Sequence, residues 1–406
     1  MKCGLLGEKL GHSYSPQIHG ALADYEYLLY EKSPDEVEAF VRNGDWHGLN
    51  VTIPYKKTVI PFCDALSDTA RTIGSVNTLL RRADGSVYGD NTDAFGFETL
   101  LTQTVKGGIA GKKALVLGTG GASVTVCAVL QKHGAEVVTI SRSGENNYQN
   151  LERHADARLL VNTTPLGMYP KNGVSPVNLE TFPRLEAVLD VVYNPARTAL
   201  LLQAEARGIP HAGGLTMLVA QAKRSSEIYL GNTLPEEEIP RITAMLNRDM
   251  QNVILIGMPG CGKSTVGALL AKRLSRPYHE ADKELEKTAK RSIPDIFAVE
   301  GEKGFRLRET AILAELGKQS GTVLSTGGGC VTRAENYPLL HQNGVIVWLT
   351  RDLDKLAREG RPLSLNADLS AMYAAREPLY RRFADCVVDN SGSPEDTVNA
   401  ILEVLG

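Results

Sequence analysis

The sequence predicts an α/β protein built in three blocks, and three observations carry that prediction. Strand-like apolar runs alternate with helical patterns along the whole chain, the signature of largely parallel sheets. Two blocks open on the same unit, an apolar strand, a glycine-rich turn and a helix. At 406 residues the chain is also too long for one ordinary core, since domains run to roughly 100–200 residues.

The first block, residues 1–101, carries short strands such as CGLLG and GLNVTI among helices, and residues 223–249 are expected to return to it. The second, 102–222, opens on KKALVLGTGGASVTVCAVLQKHGAEVVTISRS. The third, 250–406, opens on NVILIGMPGCGKSTVGALL. Between them NTLPEEEIPRITAMLNRDMQ (232–251) is polar and then helical, so a short join near Asn247–Gln251 is expected rather than a flexible linker.

Composition excludes several classes of function. A net charge of −3 with no Lys/Arg tract gives no footprint for nucleic acid. The start lacks a signal-peptide pattern, and no run approaches the ~18 apolar residues of a membrane span. Six scattered cysteines without a CxxC pair favour reduced thiols in a cytoplasm. Monomer and homodimer both remain open.

In the third block Gly257 to Ser264 reads GMPGCGKS, the pattern G-x-x-x-x-G-K-[ST] between a strand and a helix. Gly257, Gly260, Cys261 and Gly262 turn backbone N–H groups inward around phosphates, and the helix start at Thr265 adds positive potential. Lys263 can reach the β- and γ-phosphates of ATP, and Ser264 can hold Mg²⁺. YHEADKELE (278–286), GEKGFRLRE (301–309), STGGG (325–329), GRPLS (360–364) and AAREPLYRR (374–382) follow in order.

Together these stretches resemble shikimate kinases over essentially all of 251–406. The resemblance implies a P-loop α/β domain like the nucleoside monophosphate kinases. It implies that Asp282 holds the shikimate hydroxyls and helps deprotonate the attacked one, and that Arg306 and Arg376 clamp the carboxylate. Gly327, Gly328 and Gly329 would let the backbone approach the ring, and Arg361 would sit on a lid over the transferring phosphoryl group. Glu280 stands where the family has Asp and keeps a carboxylate for Mg²⁺. The lid segment between Arg361 and Arg376 is short, which leaves Arg358 as a weak reading for the adenine contact.

The first block offers hydroxyls, amides, one lysine and one carboxylate near strand ends, a set suited to a small polyhydroxylated acid with a proton transfer beside it. They lie in GHSYSPQIHG (11–20), NVTIPYKK (50–57), GSVNTL (74–79) and YGDNTDAFGF (88–97). The series resembles shikimate dehydrogenases over about residues 3–249, with Gly20 in place of the usual Asn and Lys9 near a usual Pro. By that resemblance Ser13 and Ser15 bind the carboxylate of 3-dehydroshikimate, and Thr52, Asn77 and Asp93 bind its hydroxyls. Lys56 is then the general acid/base, paired with Asp93.

In the second block Gly118, Gly120, Gly121 and Ala122 follow the strand ALVL, with Ser123 at the third glycine position of a Rossmann-type G-x-G-x-x-G. The next strand ends at residue 140 and is followed by Ser141 and Arg142 where an NAD site carries an acidic residue, so NADP(H) is expected. NTTPLGM (162–168), DVVYNPART (190–198) and GGLTMLVAQA (213–222) extend the resemblance. It implies Tyr193 and Gln221 at the substrate, and Gly214 and Met217 beside the nicotinamide. The two resemblances tile the chain and imply a bifunctional enzyme that makes shikimate and then phosphorylates it. The rival readings are a quinate/shikimate dehydrogenase of broad specificity fused to the kinase, or one half acting as a non-catalytic sensor.

Overall fold

Three sheets organise the computed structural model, which describes residues 1–11, 13–357 and 368–406. The chain divides into two units. The first comprises Met1–Met168, Val174–Tyr193 and Leu200–Met245, the second Tyr169–Gly173, Asn194–Ala199 and Leu246–Gly406. The division falls inside the helix Glu238–Met250, which runs on to the strand starting at Asn252 with Gln251 alone between them.

The first unit holds two sheets. One contains β1 (Lys2–Gly7), β2 (Glu26–Glu31), β3 (Gly48–Val51), β4 (Ala65–Leu66), β5 (Thr78–Arg81) and β6 (Val87–Asp90), in the order β2-β1-β3-β5-β6-β4. β1 runs parallel to β2 and β3, but β5 runs antiparallel to β3 and to β6. The turn between β5 and β6 explains the reversal. Gly85 takes φ +86°, a conformation open to glycine, and Asp84 accepts from the Ser86 backbone N–H. This hairpin brings Asn77, just before β5, beside Asp90 and hence beside the turn that leads to Asp93.

The other sheet contains β7 (Lys113–Leu117), β8 (Glu136–Ile140), β9 (Leu159–Asn162), β10 (Ala187–Asp190) and β11 (His211–Ala212), all parallel, in the order β11-β10-β9-β7-β8. Successive side chains of β7 face opposite cores: Ala114 and Val116 join one apolar cluster, Leu115 and Leu117 the other. That explains why KKALVLG reads as a continuous apolar run rather than an alternating one.

The second unit carries β12 (Asn252–Ile256), β13 (Tyr278–Glu280), β14 (Val323–Ser325), β15 (Gly344–Thr350) and β16 (Cys386–Asp389), all parallel, in the order β13-β14-β12-β15-β16. In both parallel sheets the strand before the glycine loop has its successors on both sides. The chain therefore opens a crevice at that strand's carboxyl end, where α/β sheets take their ligands.

Candidate functional site

In the first unit Lys56 Nζ donates to Asp93 Oδ2 at 2.5 Å, with side-chain exposures of 22% and 11%. Asp93 opens the helix Asp93–Thr104, where a carboxylate is favoured by the positive helix start. That helix packs tightly on the helix Leu215–Leu230. A Cβ on Gly96 would lie 2.6 Å from the Met217 carbonyl oxygen and 3.1 Å from Gln221 Cβ. Gly96, which sequence reasoning passed over, therefore sets Asp93 and Gln221 on adjoining helices. Asn77 Nδ2 lies 3.5 Å from Gln221 Oε1. The Ser15 backbone N–H donates to Ser13 Oγ at 3.2 Å, and Tyr14 between them meets Tyr193 edge-on at 6.0 Å. Thr52 directly follows β3, its N–H donating to the Leu6 carbonyl of β1.

The loop after β7 is open. A Cβ on Gly120 or Gly121 would meet nothing within 4 Å, so a phosphate can approach the backbone there. Ser123 replaces the third glycine without loss, because its hydroxyl turns back to the Gly118 carbonyl at 2.7 Å. Gly214 lies against Val191, leaving no room for a side chain, and Met217 is 9% exposed. Ser141 and Arg142 part company. Ser141 Oγ accepts from Gly144 N–H within its own turn, at 2.7 Å. Arg142 is exposed and has no hydrogen-bond or ion-pair partner among the described residues.

In the second unit a cleft of about 440 Å³ runs from Gly260, Lys263 and Ser264 to Asp282, Arg306 and Arg376. It brings the phosphate loop and the acid-reading residues into one space. Lys263 Nζ bonds the carbonyls of Gly257 and Met258 at 2.9 and 3.0 Å, inside its own loop. Ser264 Oγ donates to Glu280 Oε2 at 3.0 Å, so the residues expected to hold Mg²⁺ already meet. Among the described residues no group of three or more His, Cys, Asp or Glu comes together for a metal. This pair fits a Mg²⁺ that takes its remaining ligands from phosphate and water.

Arg306 is held by Glu309 at 2.8 Å, with side-chain exposures of 8% and 1%. Burial works against the charge on Arg306, but Glu309 and Glu302 outweigh it and raise its proton affinity. Burial raises Glu309 above the usual carboxylate range, opposed by Arg306. Asp282 is exposed to the cleft, yet the surrounding walls desolvate it and raise its pKa, against the pull of Lys263 and Arg306. A Cβ on Gly329 would stand 2.1 Å from Arg306 Nη2, and one on Gly327 2.9 Å from Asp282 Oδ1. Gly328 offers its carbonyl to Arg376 at 3.2 Å and to the Tyr380 hydroxyl.

Two residues were not singled out from sequence. Glu309 was legible, being three residues after Arg306 with opposite charge on one helix. Asn390 was not: its Nδ2 donates to the Cys261 carbonyl at 2.5 Å from 129 residues away, beside the space over Gly262. Cys261 lies in the loop, and the helix opens at Lys263, two residues before the start expected at Thr265. Arg358 and Arg361 lie outside the described residues.

The family model described as shikimate dehydrogenase substrate binding domain matches residues 5–79, and that described as shikimate kinase matches 259–406. A shikimate dehydrogenase (NADP(+)) of Clostridium beijerinckii is 36% identical over 246 residues, covering 56% of this chain and 90% of the relative. Among solved structures, a chorismate mutase/shikimate 5-dehydrogenase fusion protein from Clostridium acetobutylicum aligns with a TM-score of 0.57 at 35% identity. It covers 60% of this chain and 96% of that one. The Thermus thermophilus shikimate 5-dehydrogenase in complex with NADP(H) and shikimate aligns with a TM-score of 0.54 at 30% identity, covering 60% and 99%.

Proposed function

The chain belongs to the shikimate dehydrogenase (NADP(+)) family and carries a shikimate kinase domain behind it, and from that premise we propose two successive reactions on one polypeptide. The first unit reduces 3-dehydroshikimate to shikimate, and the second phosphorylates shikimate at its 3-hydroxyl, on the route to chorismate and the aromatic amino acids. The observation that carries this reading is a lysine–carboxylate pair in one unit and, in the other, a single cleft joining a phosphate loop to an acid-reading set.

NADPH supplies the hydride of the first reaction and MgATP the phosphoryl group of the second. In the first unit Ser13 and Ser15 hold the substrate carboxylate, with Tyr193 alongside. Thr52, Asn77 and Gln221 hold its hydroxyls. Lys56, steadied by Asp93, gives its proton to the carbonyl oxygen as negative charge develops there. Gly118, Gly120, Gly121 and Ala122 would hold the cofactor's pyrophosphate, Gly214 and Met217 its nicotinamide, and Arg142 its 2′-phosphate. Ser141, whose hydroxyl is engaged in its turn, shapes that corner rather than reaching out of it.

In the kinase cleft Arg306 and Arg376 hold the shikimate carboxylate. Asp282 orients the attacked hydroxyl and takes its proton, a role helped by its raised proton affinity. Lys263 would neutralise phosphate charge, and Ser264 and Glu280 would hold Mg²⁺. The partners are small molecules, and the setting is a reducing cytoplasm that suits six free thiols. Among the described residues no helix is long and apolar enough to cross a membrane.

The test is to purify the chain and measure oxidation of NADPH that depends on 3-dehydroshikimate, and ADP release that depends on shikimate. Faster turnover of quinate with NAD⁺ than of shikimate with NADP⁺ would replace the dehydrogenase assignment. Absence of shikimate-dependent ADP release would reduce the second unit to a binding module.

A further inference from the structure

Behind the substrate wall of the first unit runs a buried hydrogen-bond network centred on Ser225, on the helix Leu215–Leu230. The Ser225 hydroxyl donates to the Gln221 carbonyl at 3.0 Å, which leaves its oxygen free to accept. Asn50 Nδ2 donates to it at 2.8 Å, and the Thr92 hydroxyl lies at 3.0 Å. All of these side chains are buried.

The network fixes which way the amide of Asn77 faces. A backbone N–H can only donate, and that of Thr92 points at Asn77 Oδ1 from 2.7 Å. The Thr78 hydroxyl donates to the same oxygen at 3.1 Å. Asn77 Oδ1 is therefore occupied from inside the protein. Asn77 Nδ2 lies 3.0 Å from Thr92 Oγ1, which can accept from it only while its own proton is directed elsewhere. Ser225 Oγ is the nearest acceptor for that proton at 3.0 Å, ahead of Thr78 Oγ1 at 3.1 Å and Asn77 Oδ1 at 3.2 Å. One N–H of Asn77 is then spent on Thr92, and the other is left on the site side, near Gln221 Oε1. The same serine steadies Asn50, which accepts from the Tyr27 hydroxyl at 2.8 Å.

We propose that Ser225 is a positioning residue for the reduction: through Thr92 it makes Asn77 a hydrogen-bond donor towards an oxygen atom of the substrate. The wall would thus select a polyhydroxylated acid whose oxygen at that point accepts a hydrogen bond. The proposal rests on the reading that this unit binds 3-dehydroshikimate. Ser225 touches neither substrate nor cofactor in this scheme, so its effect should appear in substrate affinity and should travel through Asn77.

The experiment is a double-mutant cycle on the full chain with Ser225→Ala, Asn77→Ala and both together, reading KM for 3-dehydroshikimate, KM for NADPH and kcat. Ser225→Ala should raise KM for 3-dehydroshikimate about tenfold, the worth of a weakened buried hydrogen bond, with KM for NADPH within about twofold. In the Asn77→Ala background the same change should add almost nothing, since residues acting through one another are not additive. Thr92→Val, which keeps the backbone N–H and side-chain shape, should reproduce the rise and guards against a folding defect in the serine variant. Equal fold-changes in both backgrounds, or a lowered melting temperature with unchanged KM, would overturn the proposal. A parent chain with no oxidation of NADPH dependent on 3-dehydroshikimate would overturn the dehydrogenase reading and this proposal with it. An active parent with an additive cycle would overturn the role of Ser225 alone.

Discussion

Gly120 and Gly121 of the first unit and Gly262 and Gly329 of the second are bare for opposite reasons. In the dehydrogenase unit Gly120 and Gly121 border open space, and a side chain there would meet no protein atom within 4 Å. In the kinase unit a Cβ on Gly262 would run into Asn390 Nδ2, and one on Gly329 into the Arg306 guanidinium. The first loop is bare because a ligand must approach it. The second set is bare because the protein's own side chains already fill the space. A glycine-rich stretch therefore marks a binding loop in both units but reports ligand approach in one and internal packing of the site in the other.

The largest expected effects test whether each unit runs its own chemistry. Lys56→Ala should lower dehydrogenase kcat by roughly 10²–10⁴-fold with little change in KM, the usual worth of a general acid or base. Asp282→Asn should lower phosphoryl transfer by a similar ~10²–10⁴-fold while oxidation of NADPH stays near normal. Because Asp282 must be deprotonated to act and its pKa is raised, the acid limb of the kinase pH profile should lie above the ordinary carboxylate value of about 4. Persistence of that limb in Asp282→Asn would assign it to another group.

The glycine contrast predicts a difference in kind. Gly329→Ala should displace Arg306 and raise KM for shikimate by about tenfold or more, the loss of a charge-assisted hydrogen bond. Gly120→Ala should leave the melting temperature unchanged and weaken NADPH only. A destabilised Gly120→Ala, or a Gly329→Ala with normal shikimate binding, would erase the contrast.

The fold was legible where pattern and physics coincide. Both strand–glycine–helix units could be read because the strands ahead of them are buried on both faces and the turns need glycine. Lys56, Asp93, Asp282 and Arg306 stood in short stretches whose neighbours shared their purpose. The antiparallel β5–β6 hairpin went unremarked although its Asp84-Gly85 turn was in view. Ser225 and Asn390 carried no local signal: each acts across more than a hundred residues, through contacts that only the folded sheets create. Arg142 could be read as a charge, but its lack of a hydrogen bond or ion pair among the described residues belongs to the structure.

Smaller effects sharpen the cofactor and stability sides of the comparison. Arg142→Ala should weaken NADPH about ten- to hundredfold and leave NADH nearly unchanged. Equal losses for both would make Arg142 structural. His19, fully buried and bonded to Tyr25 at 2.6 Å, has its pKa pushed down to about 3 by burial. Between about 6.5 and 3 the unfolded chain binds a proton that the folded chain refuses, so stability falls as pH falls through that window. The dehydrogenase unit should lose about 1.4 kcal/mol per pH unit from this residue, measured by denaturant unfolding, and His19→Asn should flatten the slope. An unchanged slope in that variant would place the proton uptake elsewhere.

One measurement bears most directly on the claim that a single chain makes shikimate and consumes it. The purified chain is given 3-dehydroshikimate, NADPH and MgATP with no shikimate added, and NADPH oxidation and ADP release are followed separately. ADP release should begin only after NADPH oxidation has begun, vanish when NADPH is withheld, and vanish in Asp282→Asn while NADPH oxidation continues. Shikimate 3-phosphate should accumulate in proportion to the ADP. ADP released at full rate without NADPH, or NADPH oxidised with no ADP released by the unaltered chain, would contradict the account.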